Sequence, residues 1–308
     1  MADKPVFKIG HLKITDHLIL GITNAKLAKG NETFNHCSIK PIPMTGWNSI
    51  GESLVDGSID IAFILAPYAM ELFHSGQKIS MLMLSHKSGS IIVVNKKANI
   101  QKIEDFKGKT VLIPYHQSIH HMLFDKLLTE KGLETGVGKD VIFEVVAPSQ
   151  IPEIMEWDET GDVGGYIVEE PFGTQVIKSG LGTEFKLSKD IWFKHPCCVL
   201  VVRDEIKQKY PDAVLELCQS LVKSGLLIDQ KPDIAAKAGA SFLGQEYDIV
   251  YSVLTEPKDK LCTTELLPVL DDLDTIQTYL TEKISAMSGK IDLEKFVDID
   301  FAKETGAK

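Results

Sequence analysis

The chain lacks any basic cluster that could follow a phosphate backbone, and acidic residues outnumber basic ones 43 to 33, for a formal charge of −10. That balance argues against a nucleic-acid partner. Long hydrophobic runs are missing too. The longest, such as IAFILAPYAM, are broken by proline or charge well short of the roughly 20 apolar residues a membrane span needs, so no direct span is expected. Cysteine is scarce: five residues, an odd number, mostly unspaced, which gives neither a disulfide framework nor a zinc motif. The adjacent Cys197 and Cys198 would face opposite sides of a strand carrying both, which predicts buried structural thiols rather than two ligands to one ion. Also absent are a GxSxG elbow, a P-loop, a GxGxxG turn and an HExxH helix. No cofactor is called for. The opening MADKPVFKIG carries no apolar leader and does not read as a signal peptide. The expected location is periplasmic or cell-envelope if a leader was removed, and cytoplasmic otherwise.

What is present is an ordinary globular composition, 44% hydrophobic and 25% charged over 308 residues, enough for one large domain or two medium ones. Strand and helix patterns alternate from the start. VFKIGHL reads as a strand, and DHLILGITNAKLAKG as a helix with Asp16 as N-cap and Gly30 as stop. CSIKPIPM is a strand that Pro41 and Pro43 make bent or peripheral. WNSIGESLVDGS is a helix ending at Gly57, and IDIAFILA is a strand buried on both faces. A second unit begins near Asn99, with KTVLIP as a strand and SIHHMLFDKLLTEKG as a helix capped by Ser118 and stopped by Gly132. CCVLVVRDE returns toward the first sheet, and beyond Tyr210 the pattern is mostly helical. The fold expected is α/β: two lobes with parallel-rich sheets and two crossovers, near residues 86–96 and 195–203. Lobe 1 comprises 1–90 and 200–308, with the C-terminal helices packed back on it, and lobe 2 is the inserted 91–199.

Three segments carry a family resemblance: IEDFKGKTVLIPYHQSIHHMLFDKLLTEKGL, GWNSIGESLVDGSIDIAFILAP and GGYIVEEPFGTQVIKSG. They resemble the periplasmic solute-binding proteins of ABC importers for nitrate, bicarbonate, sulfonates and thiamine-pyrimidine precursors. The resemblance implies a type II, Venus-flytrap fold closing on a small molecule, with Trp47 at the place where nitrate and bicarbonate binders carry a cleft tryptophan.

Ligands of such sheets bind beyond the carboxyl ends of the strands. Those strand ends supply Thr15, Asp16 and His17; Trp47; Pro67 and Tyr68; His116, Gln117 and Ser118; and Glu169 and Glu170. The helices opening at Asp16, Trp47, Pro67 and Ser118 turn positive dipole ends toward the cleft. Trp47 reads as a stacking platform, with Tyr68 similar. His17 reads as a donor to an anion. His116 and Gln117 stand in a loop where they can reach a ligand. His120 shares a helix face with Phe124 and Leu127 and reads as half-buried and structural, whereas His121 reads as an exposed i,i+4 partner of Asp125. Alternation sends one of Glu169 and Glu170 into the cleft, and Glu170 is taken as the contact. His86 and His195 lie near the crossovers, where a hinge hydrogen bond or a metal site with Glu170 is the lesser alternative.

The function expected is capture of one small polar or anionic solute by a monomer, without catalysis, for delivery to an ABC transporter permease if the protein is exported. Two alternatives share the fold. One is a ligand-sensing module acting on a signalling partner. The other is a thiamine-pyrimidine-synthase-like enzyme, which would use a lysine and a histidine with pyridoxal phosphate plus a cysteine-rich iron motif near HPCCVLV.

Overall fold

The computed structural model describes residues 4–308. Its strands, in chain order, are β1 (Val6–His11), β2 (Ser38–Pro43), β3 (Ile61–Leu65), β4 (Ile79–Leu84), β5 (Lys87–Ser88), β6 (Ser90–Asn95), β7 (Lys109–Ile113), β8 (Val141–Val145), β9 (Val163–Glu169), β10 (Gly182–Leu187), β11 (Cys198–Arg203) and β12 (Leu261–Cys262). The apolar runs predict their own positions. β3 and β6 are buried along their whole length and β11 up to Arg203, and each lies inside a sheet. β2, interrupted by Pro41 and Pro43, is half-exposed at an edge, where a missing N–H costs no ladder bond.

Two five-stranded sheets result, in the orders β2-β1-β3-β11-β4 and β8-β7-β9-β6-β10. In the first, β1 is parallel to β2 and β3, while β11 runs antiparallel to β3 and β4. In the second, β7 is parallel to β8 and β9, while β6 runs antiparallel to β9 and β10. Each sheet therefore has four strands in one direction and a reversed fourth position. That reversed strand is the one the chain enters on arriving from the other sheet. The parallel-rich, two-sheet α/β architecture expected from sequence is present.

Three segments cross between the sheets. The first links β4 to β6 and the second links β10 to β11. The third, around Lys260–Leu266, is bonded to the first through its backbone and meets the second through a side-chain ion pair: β12 pairs antiparallel with β5, Gly89 N–H donates to the Lys260 carbonyl at 2.9 Å, Leu84 N–H donates to the Leu266 carbonyl at 2.9 Å, and Glu265 pairs with Lys194. Sequence predicted only the first two, because a two-residue strand leaves no periodic signal.

The C-terminal helices divide. Pro211–Gln230 and Pro232–Leu243 pack on the helix Leu18–Ala28. Tyr247–Thr255 packs on the helix Phe172–Lys178 beside the second sheet, and Leu270–Glu282 touches both Ala66–His74 and Ile119–Thr129. Packing back on the first lobe alone is thus corrected: these helices strap both halves. No helix among the described residues is long and apolar enough to cross a membrane.

Candidate functional site

The carboxyl ends of both sheets converge with the crossing segments on a buried polar cluster. From the first sheet's side, a 3-10 turn Thr15–His17 precedes the helix Leu18–Ala28. Asp16 does not cap that helix, as its position in the sequence suggested. Its carboxylate turns inward, and Oδ2 lies 3.0 Å from His86 Nε2 of the first crossing and 3.9 Å from Cys197 Sγ of the second. From the second sheet's side, His120 Nε2 lies 3.9 Å from the same sulfur and 2.7 Å from Ser90 Oγ, and its Nδ1 lies 3.7 Å from Glu169 Oε1. All these side chains are buried.

Several of their polar atoms have no partner: Asp16 Oδ1, His86 Nδ1, His120 Nδ1, both Glu169 carboxylate oxygens and Trp47 Nε1. An unpaired buried polar group costs about 1–3 kcal/mol, so this concentration in one place makes the cluster the candidate site. His17 adds a buried ring atom without a partner: its Nδ1 lies 3.0 Å from Leu12 N and 3.3 Å from the Leu12 carbonyl, and its Nε2 has no partner.

Opposed charges set the protonation states. Burial raises Asp16 to about 6, although His86 pulls the other way. Burial opposes the charge on His86, but the Asp16 carboxylate outweighs it and lifts the imidazole to about 10. His120, likewise penalised by burial, is raised to about 9 by Glu169 and Cys197. Burial pushes Glu169 up to about 7. Burial also works against a Cys197 thiolate, yet the Cys198 thiol and the imidazoles of His120 and His86 hold Cys197 well below the usual thiol range.

Contacts between the halves close the site. Thr15 donates through both its N–H and its hydroxyl to the Glu170 carbonyl, at 2.8 and 2.9 Å. The rings of Tyr68 and Tyr115 meet at 4.6 Å between centroids. Trp47 is buried and sets its ring edge-on to His17, 5.8 Å away. Thr15, Asp16, His17, Trp47 and Tyr68 thus stand at or beside the closed interface, and Pro67 is buried in the first turn of the helix Ala66–His74.

Other residues singled out in the sequence lie away from the cluster or have other partners. His116 and Gln117 line a separate cavity of about 550 Å³, walled on its far side by Lys283–Ala286. Ser118 is engaged as a cap, accepting from His121 N–H at 3.1 Å and donating to the Tyr115 carbonyl at 2.7 Å. The Glu170 carboxylate accepts from Thr174 N–H and Oγ1 at 2.8 Å each and pairs with Lys260 Nζ at 3.2 Å, so Glu169 and not Glu170 faces the cluster. His195 does not join His86 and Glu170; its Nδ1 lies 3.1 Å from the Pro196 carbonyl. His120 is fully buried in the cluster rather than half-buried, and His121 is buried with Nδ1 3.0 Å from the His116 carbonyl. Asp125, its supposed surface partner, instead accepts from Tyr279 Oη at 2.8 Å and from Thr135 Oγ1 at 2.5 Å. Cys197 and Cys198 do not diverge. Cys197 precedes the strand, so the alternation rule does not govern it, and both sulfurs join Asp16 and His86 in a group of donor atoms within 4.8 Å of one another. The sequence signal for this was HPCC falling at a crossover.

Two sheets of matching order shut over a polar centre define the periplasmic-binding-protein class of fold, which encloses small molecules between lobes. The model of the NMT1-like family matches residues 2–242, and the chain belongs to that family. Among curated proteins, the nitrate import ATP-binding protein NrtC of Synechocystis is 27% identical over 193 residues, 58% of this chain and 28% of that protein. The chain therefore matches under a third of that relative's length. Two crystal structures share the fold. The zinc-bound ligand-binding component of an ABC-type import system from Staphylococcus aureus has a TM-score of 0.86 at 23% identity, covering 98% of this chain and 99% of that one. The periplasmic nitrate-binding protein NrtA from Synechocystis has a TM-score of 0.87 at 17% identity, covering 99% and 89%.

Proposed function

We propose that this chain is a solute-binding protein that encloses one small polar solute between its lobes and delivers it to an ABC-type importer. The observation that carries this reading is the sealed cluster at the interface, where both sheets and two crossing segments contribute polar atoms that lack protein partners. Binding by closure uses such a site, because contacts from both halves form only when water is excluded. The names of relatives 23–27% identical to this chain, a nitrate import protein and a bicarbonate transport protein of cyanobacteria and a taurine-binding periplasmic protein of Escherichia coli, support transport as the setting. On this reading the protein works in the cell envelope with an ABC permease, as a monomer and without turnover.

An oxyanion is a poor guest for this cluster. Asp16, Glu169 and Cys197 bring acidic groups, and Lys260 is engaged by Glu170. The chain's single arginine, Arg203, pairs with Glu205 at the opposite end of β11 from Cys198, so the planar fork that grips nitrate- or sulfonate-like groups is missing. The test is native mass spectrometry of the chain as purified, with small-angle scattering before and after the bound species is removed. One solute per chain and an expansion on its removal are expected. A chain that carries no solute and keeps the same dimensions with every candidate would overturn the reading.

A further inference from the structure

We infer that the interlobe cluster is a binding site for one divalent transition-metal ion of the zinc or cobalt type, held by Asp16, His86, Cys197 and Cys198. This deepens the solute-binding reading and rests on it. The four side chains are buried and offer donor atoms that all lie within 4.8 Å of one another.

The shorter spacings suit a metal ion. Around an atom held by hydrogen bonds of about 2.9 Å, tetrahedrally arranged partners stand about 4.7 Å apart. Around a metal with bonds of about 2.0–2.3 Å they stand about 3.3–3.8 Å apart. Asp16 Oδ2 lies 3.0 Å from His86 Nε2 and 3.9 Å from Cys197 Sγ, which brackets the metal spacing.

Donor chemistry agrees. Thiolate and imidazole select zinc-type ions over calcium or magnesium, and a carboxylate completes a set whose charge offsets that of the ion. Asp16 Oδ1 and His86 Nδ1 are a second, independent sign, since both are buried and unpartnered on two of the four side chains, beside Gly89. His120, held between Ser90 Oγ and Glu169, touches Cys197 from the second lobe, so loading the site bears directly on closure.

The test uses the full chain stripped with a chelator and titrated with Zn²⁺ or Co²⁺ alone against a competing metal dye. One equivalent should bind, and the cobalt form should show a thiolate-to-cobalt charge-transfer band. Cys197→Ser should abolish that band, and C197S and H86A should each weaken binding about 100-fold or more. No stoichiometric metal on the wild-type chain, or a site indifferent to both substitutions, overturns the inference. The wild-type titration decides even if a variant fails to fold. If the stripped chain ignores metal yet contracts in scattering with a solute from cell extract, the metal assignment falls and solute binding stands. If it contracts with neither, both fall.

Discussion

Two single side chains report on how the molecule balances buried charge. Lys260 and Glu170 form an ion pair with almost no exposure, joining the third crossing segment to the end of β9. Removing one member of such a pair leaves the other charged and dry, at a cost of about 3–5 kcal/mol. Lys260→Met should therefore lower urea stability by roughly that amount, and adding Glu170→Gln should restore part of it, as a double-mutant cycle would measure. His11 is buried and stacked on Phe242 with ring centroids 4.6 Å apart, and burial lowers it to about 4 from 6.5, with Lys13 adding to the effect. Between those values the unfolded chain binds a proton that the folded chain refuses. The stability His11 contributes is thus complete above about pH 6.5 and is lost as pH falls toward 4. His17 and His195 act in the same direction, whereas the raised groups of Asp16, Glu169, His86 and His120 act against it. In chemical denaturation from about pH 7.5 to about pH 5, His11→Gln should therefore gain stability relative to wild type as the pH falls.

Elements pack by close approach as much as by apolar area. Gly225 lies in the helix Pro211–Gln230 where an added Cβ would come within 2.1 Å of the Thr263 carbonyl, a backbone atom that cannot swing away. Gly225→Ala should cost about 1–3 kcal/mol, read as a lower midpoint in urea, and should loosen the third crossing segment in hydrogen exchange. Much of this scale was legible beforehand. The uninterrupted apolar runs found the inner strands, prolines found the edge strand β2, and Ser118 was recognisable as a cap. The histidine helix was misread because its first two turns are buried almost all round. The second sheet covers one side, and Leu270–Glu282 covers the side that sequence assigned to solvent, placing Tyr279 on Asp125. A partner some 150 residues away leaves no mark on local periodicity. Likewise, the paired thiols were misjudged by a strand boundary of one residue.

At the scale of the whole molecule, the structure is a closed form. Gly46 precedes the helix Trp47–Asp56 on one half and Ala147 follows β8 on the other, and a Cβ added at Gly46 would lie 3.9 Å from that of Ala147. That spacing suits a disulfide, for which about 3.8 Å is typical. A Gly46→Cys/Ala147→Cys double variant should oxidise readily when solute is bound and slowly when it is absent. Once locked it should neither take up nor release ligand, and mobility on a non-reducing gel together with exchange of bound solute measures both. Failure to cross-link under any loading would mean that the two halves do not meet this way in solution.

The short ladder between β5 and β12 bears on how such a molecule can move. A gate hung on two pins can sag or slide as well as swing, but a third pin beside them leaves the swing alone. With the Lys260–Leu266 segment tied by backbone bonds to one connection and by the Glu265–Lys194 pair to the other, the fold is built so that halves that part can meet again in the same lateral register.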